Sequence, residues 1–68
     1  MTKDQIVEAR RKLGLTLEQM ATVLGYLGEQ RRHMMWDIET GRRPLREPQR
    51  RLVQAYLEGY RPGDWPVR

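Results

Sequence analysis

Residues 13–44 read LGLTLEQMATVLGYLGEQRRHMMWDIETGRRP. Thr16 and Gln19 stand in the T-x-x-Q spacing of a capping box, which starts a helix by satisfying its free N–H groups. Leu17, Met20, Ala21 and Leu24 then recur at helical spacing, and Gly25 supplies a stop. The helix so defined is short, about eight residues, and a second helix following after so few residues must cross it sharply. Ala21 is small enough for a close crossing. After a turn at residues 26–28, the segment 29–40 carries no proline, aligns Met34, Met35 and Ile38 on one face, and stops at Gly41. It is expected to be a third helix with both methionines in the core. Arg31 lies near its apolar face, while Glu29, Arg32, His33, Trp36, Asp37 and Thr40 point the other way.

Working outward, Thr2 and Gln5 form another capping box. Ile6, Ala9 and Leu13 make an apolar stripe flanked by Val7 and Arg10, Gly14 closes the helix and Leu15 follows as an apolar anchor. Downstream, Gly41-Arg42-Arg43-Pro44 is a basic turn, and Leu45 is expected to tuck into the core. Pro48 suits the first turn of a last helix carrying Leu52, Val53, Tyr56 and Leu57, with Gly59 as its stop. Residues 60–68, with two prolines and a glycine, should be extended or turned. No strand pattern or repeat is present. The expectation is an all-α bundle of four to five helices over residues 1–59, followed by a Pro/aromatic tail over 60–68.

Composition narrows the chemistry. Sixty-eight residues allow one small domain and no cleft between lobes. With 38% hydrophobic and 32% charged residues the chain suits a small globule rather than a disordered tract. No cysteine or serine is present and histidine occurs once, so thiolate metal sites and Ser or Cys nucleophiles are excluded, and His33 has no spaced metal-ligand partner. Asp37 and Glu39 lie two apart on a helix and do not face each other. No Gly-rich phosphate loop occurs. Neither an enzyme, nor a cofactor, nor a small-molecule effector is expected. No apolar run reaches the ~18 residues of a membrane span, and MTKDQIVEARRK lacks the apolar stretch of a signal peptide, so a cytoplasmic protein is expected.

The net charge of +4 is unevenly distributed. Residues 1–30 and 52–68 are each neutral in sum, whereas residues 31–51 hold seven arginines against Asp37, Glu39 and Glu47. Arginine's planar fork matches phosphate oxygens and guanine edges. A solvated basic face would need no such concentration. One localised patch fits a polyanion.

The run 6–24, IVEARRKLGLTLEQMATVL, with its Leu13-Gly14-Leu15-Thr16 junction and Met20-Ala21 pair, resembles the opening of the phage repressor, Cro and XRE-type helix-turn-helix domains. Ile38-Glu39-Thr40-Gly41-Arg42-Arg43-Pro44 resembles that family's close of the recognition helix. The resemblance spans roughly residues 6–57. It implies a lambda-repressor-like bundle whose third helix enters the major groove. It also implies that Arg10 of the first helix pairs with Glu39 near the end of the recognition helix. Three departures stand out, one being that only one helix clearly follows Pro44 where the family often has two. Leu17 occupies the place of a phosphate-contacting glutamine, leaving the N–H groups after Thr16 to meet an anion. The interval 25–41 is longer than usual by about four residues, or one helical turn, so either the recognition helix starts early or the turn is enlarged.

Alignment backwards from Gly41 makes Arg31, Arg32 and His33 the base-reading candidates, joined by Gln30 and Glu29 if the helix extends and by Trp36, which would stack on sugar. For Arg31, a phosphate or core-edge role competes; for Trp36, packing on its own domain competes. Thr16, Arg42, Arg43 and Arg46 are the phosphate candidates. Symmetric operators need two reading helices about 34 Å apart; Tyr56, Leu57, Tyr60 and Trp65 are either core and tail packing or the seam of a homodimer. The expected function is a sequence-specific transcriptional regulator, a homodimeric (auto)repressor of a mobile-element or phage operon acting on an inverted-repeat operator in double-stranded DNA. The alternative is a protein-binding adaptor or antitoxin-like module using the same helices. RNA binding would call for stacking platforms or loop motifs that are not evident.

Overall fold

Most helix boundaries in the computed structural model, which describes residues 1–63 and 65, are set by a small set of local signals. The helices are α1 (Lys3–Leu13), α2 (Leu17–Val23), α3 (Arg31–Glu39) and α4 (Glu47–Leu57). No strand occurs among the described residues. Thr2 and Thr16 cap α1 and α2 through complete capping boxes: each threonine hydroxyl accepts from the backbone N–H of Gln5 or Gln19, and each glutamine side chain accepts in return from its threonine N–H. The N-cap of α4 is Arg46, and Pro48 sits in the first turn, where its missing N–H costs nothing.

All four helices end in the same way. The N–H of the residue after the closing glycine bonds a carbonyl five residues back: Leu15 on Arg10, Tyr26 on Ala21, Arg42 on Asp37 and Tyr60 on Ala55. The glycine N–H bonds the next carbonyl, satisfying groups that a helix end would otherwise leave bare. That geometry needs positive φ at the glycine, as at Gly14 (71°) and Gly41 (85°).

The core gathers Ile6 and Ala9 of α1, Leu15, then Met20, Ala21, Val23 and Leu24 around α2. Met35 and Ile38 of α3 and Val53 and Tyr56 of α4 complete it. Met20, Ala21, Leu24, Met35 and Val53 are fully shielded, each of the larger ones stabilising by about 1.5–3 kcal/mol. Met34, expected beside Met35 in the core, is only half-buried, because successive helical residues diverge by about 100° and only one of the pair can face inward. Leu45 packs against the core without being fully enclosed. α2 packs most closely on α3, while α1 backs α3 and α4. The Tyr56 hydroxyl donates to the Val23 carbonyl and ties α4 to the end of α2. The radius of gyration, 10.8 Å, matches the ~11 Å of a compact chain of this length.

One expectation changes. α3 begins at Arg31 rather than at residue 29, because Gly28 adopts φ 98° and Gln30 serves as an N-cap without a side-chain cap bond. The α2–α3 connection therefore runs over residues 24–30, and α3 is not lengthened into it. The tail packs on the bundle as far as it is described. Trp65 meets Tyr56 edge-on at 5.0 Å, and the Trp65 N–H bonds the Pro62 carbonyl. Of the segment 60–68, residues 64 and 66–68 lie outside the described residues.

Candidate nucleic-acid interface

α3 is held by Met35 and Ile38 from below, so the positions between them face outward. Arg32, His33 and Trp36 form this exposed face, and Trp36 remains 48% exposed despite its size. His33 Nε2 lies 3.6 Å from Asp37 Oδ2, one turn on. Leu17, at the first position of α2, meets the same face. With Arg32, His33 and Trp36 it lines a concavity of about 360 Å³.

The neighbouring Arg31 is turned elsewhere. Its guanidinium donates to Thr22 Oγ1 (3.1 Å), the Gly28 carbonyl (2.9 Å) and Glu18 Oε2 (2.5 Å). It clamps the α2–α3 turn onto α2. Gln30 is exposed but stands at the N-cap, outside the helix expected to present it. Glu29 is also exposed, in the turn.

Beyond the end of α3, Arg42, Arg43 and Arg46 are exposed. Along residues 31–51 the carboxylates are already engaged: Glu39 with Arg10, Asp37 beside His33, and Glu47 with Arg50 and Arg51. Arg32, Arg42, Arg43 and Arg46 therefore have no side-chain hydrogen bond or ion pair among the described residues. Arg43 and Arg46 converge with Tyr26, Met34, Pro44 and Gln49 on a notch of about 260 Å³. Gln49 Nε2 reaches back to the Leu24 carbonyl at 3.4 Å and holds α4 against the end of α2. Burial raises the Tyr26 hydroxyl above its usual range, against the pull of Arg43 and Arg46. It stays protonated, a donor beside two cations.

The support beneath α3 is ionic. Arg10 Nε donates to Glu39 Oε2 at 2.7 Å and Nη2 to Oε1 at 3.3 Å, while Nη1 bonds the Leu15 carbonyl at 3.0 Å. The side chains are 22% and 7% exposed. One guanidinium thus joins α1, the α1–α2 turn and the end of α3. Thr16 is exposed at the start of α2, its hydroxyl occupied by the Gln19 N–H.

The aromatic dimer candidates separate. Tyr56 is 3% exposed, and its ring stacks on Tyr60 at 6.0 Å. It is an internal post rather than a seam, because its hydroxyl is spent on Val23. Trp65 is half-buried against Tyr56, with the Arg61 guanidinium 4.3 Å above its ring. Leu57 (39%) and Tyr60 (54%) stay exposed.

Two residues at these concavities escape sequence reasoning. Tyr26 reads as mere turn, because only the α2–α3 connection brings it beside Arg43 and Arg46. Leu17 reads as the first apolar residue of α2, and its half-exposed edge beside Trp36 follows from the α2–α3 crossing. Among the described residues no three His, Asp or Glu side chains gather into a metal-ligand set, and no helix is long and apolar enough to cross a membrane. No known family, curated protein or solved structure matches the chain.

Proposed function

We propose that this chain is a helix-turn-helix module for duplex DNA, with α2 and α3 as the paired helices and α3 laid in the major groove. In this reading Arg32 and His33 meet base edges, and Trp36 lies among them. Arg42, Arg43 and Arg46 hold phosphates on one flank, with the start of α2 at Thr16 on the other. The observation that carries the proposal is the pairing pattern. Glu39 and Glu47 are paired with arginines and Asp37 stands beside His33, while Arg32 on the exposed face of α3 and Arg42, Arg43 and Arg46 in the segment that follows α3 have no such partner among the described residues. An internal electrostatic role would consume those cations; a solvated face has no reason to gather them in one segment. Arg31 contributes through the shape of the turn rather than by touching a base. The regulator acts as a homodimer on an inverted repeat, in keeping with an autoregulatory repressor of a mobile-element or phage operon.

The test is selection of binding sites from random duplex DNA with the full chain, followed by titration across a salt series. A palindromic consensus and an affinity falling steeply with salt are expected. Salt-independent or absent DNA binding overturns the proposal. A second reading, an adaptor that grips a protein partner, is favoured by Leu27, which is 83% exposed in the α2–α3 turn. That reading requires an apolar interface insensitive to salt, so the same titration separates the two.

A further inference from the structure

The outward face of α3 pairs a cation with an apolar surface, and a phosphate-binding role explains only the cation. Trp36 follows Arg32 by four residues, so the two side chains sit one above the other on the same face. Leu17 of α2 closes the side of that face, and the four residues Leu17, Arg32, His33 and Trp36 share one concavity. Trp36 keeps 48% of its surface in water, in a chain that buries Met20, Leu24, Met35 and Val53 completely. An indole held open in this way is neither core nor solubilising surface. Against phosphates it would gain little. The major groove offers one apolar feature for it to cover, the C5-methyl group of thymine.

We infer that the Leu17–Trp36 edge of α3 is a receptor for the 5-methyl group of a thymine, lying beside a guanine read by Arg32. The inference rests on the DNA reading proposed above and names what that surface discriminates. Side chains one helical turn apart are separated by about 5–6 Å, against about 3.4 Å per base along a strand. The methyl group therefore belongs to a base one or two steps from the guanine. His33 stands next to Arg32 and reaches the same steps with a polar contact. The apolar residue at position 17 thus acts as a specificity determinant.

The experiment acts on the DNA, so the wild-type protein can be used throughout. Each thymine of the selected operator is replaced singly by deoxyuridine, which removes the methyl group and leaves every hydrogen-bonding group in place. Affinity should fall about fourfold at one thymine of each half-site, the worth of one buried methyl-sized group, and be unchanged elsewhere. In Trp36→Ala, whose folding is checked by circular dichroism, thymine and uracil at that position should bind alike. A selected operator whose guanine contact has no thymine within two steps overturns the inference, as does uracil tolerance at every position. Equal weakening of all sequences by Trp36→Ala also overturns it, because that marks stacking on sugar and backbone. In each of these cases steep salt dependence on duplex DNA leaves the DNA reading standing. Failure to bind any duplex at low salt removes both.

Discussion

Arg31 and Arg32 are adjacent and chemically identical, and the fold gives them different work. Arg31 points back along the helix to Glu18, Thr22 and Gly28, whereas Arg32, one position and about 100° further round, has no internal partner. Arg32→Ala is therefore expected to relax base preference at one position of each half-site at a cost of about 1–3 kcal/mol; affinities over a set of single-base operator variants check this. Arg10 and Glu39 are likewise unequal. Removing Arg10 strands a carboxylate that is 7% exposed and releases the Leu15 carbonyl, so Arg10→Ala should cost about 3 kcal/mol. Glu39→Ala should cost less, because Arg10 is 22% exposed and keeps its bond to Leu15. Urea unfolding of the two variants gives the comparison.

Among the elements, the helix ends show how one local device is put to two uses. The residue after the closing glycine is apolar or aromatic at three ends, Leu15, Tyr26 and Tyr60, and anchors the chain to the fold. At the end of α3 that residue is Arg42, which is exposed. The same turn thus displays a cation where the others place an apolar or aromatic side chain, and Pro44 stiffens the chain beyond it. The start of α4 is fastened differently. Hydrogen bonds from Arg50 and then Arg51 hold the Glu47 carboxyl at about 2 against its usual 4.5. A carboxyl with a lowered folded-state value contributes its stability above the unfolded value and loses it as pH falls through the folded one. Thermal melts of the wild type should weaken between pH 4.5 and 2, and Glu47→Gln should flatten that part of the acid limb. The change should be small, because these groups are exposed and screened by water.

Over the whole molecule, one tyrosine links the C-terminal helix to the α2–α3 unit. Tyr56 is buried, stacks on Tyr60, meets Trp65 and donates to the Val23 carbonyl. Tyr56→Phe keeps the ring and leaves a shielded carbonyl unsatisfied, so a loss of about 1–3 kcal/mol is expected from chemical denaturation. The charge distribution is also a property of the whole. Arg42, Arg43 and Arg46 are exposed along the α3–α4 connection and the cap of α4, and Arg43 and Arg46 share a notch with Met34 of α3. Alanine at any one of them should weaken specific and random duplexes alike and lower the salt slope by about one unit, since one fewer counterion is released. Titrating each variant across a salt series measures this; an unchanged slope would assign these arginines to another partner.

Local chemistry alone determined the all-α class, the capping boxes at Thr2 and Thr16, the stops at Gly14, Gly25, Gly41 and Gly59, and the basic excess of residues 31–51. Those features depend on side chains within about four residues of one another, which the order of residues states directly. Tertiary packing decided the rest. Whether the residues before α3 join the helix or the turn depended on Gly28 and on the Arg31 clamp to α2. Whether Tyr56 faces a partner or its own core depended on Val23, 33 residues away. Periodicity could name the apolar face of α3 but could not tell Met34 from Met35. Nor could it tell that Arg31 would reach Glu18 on another helix while Arg32 beside it would find no carboxylate. Those answers rest on distances between segments far apart in sequence, and such distances exist only once the helices have packed.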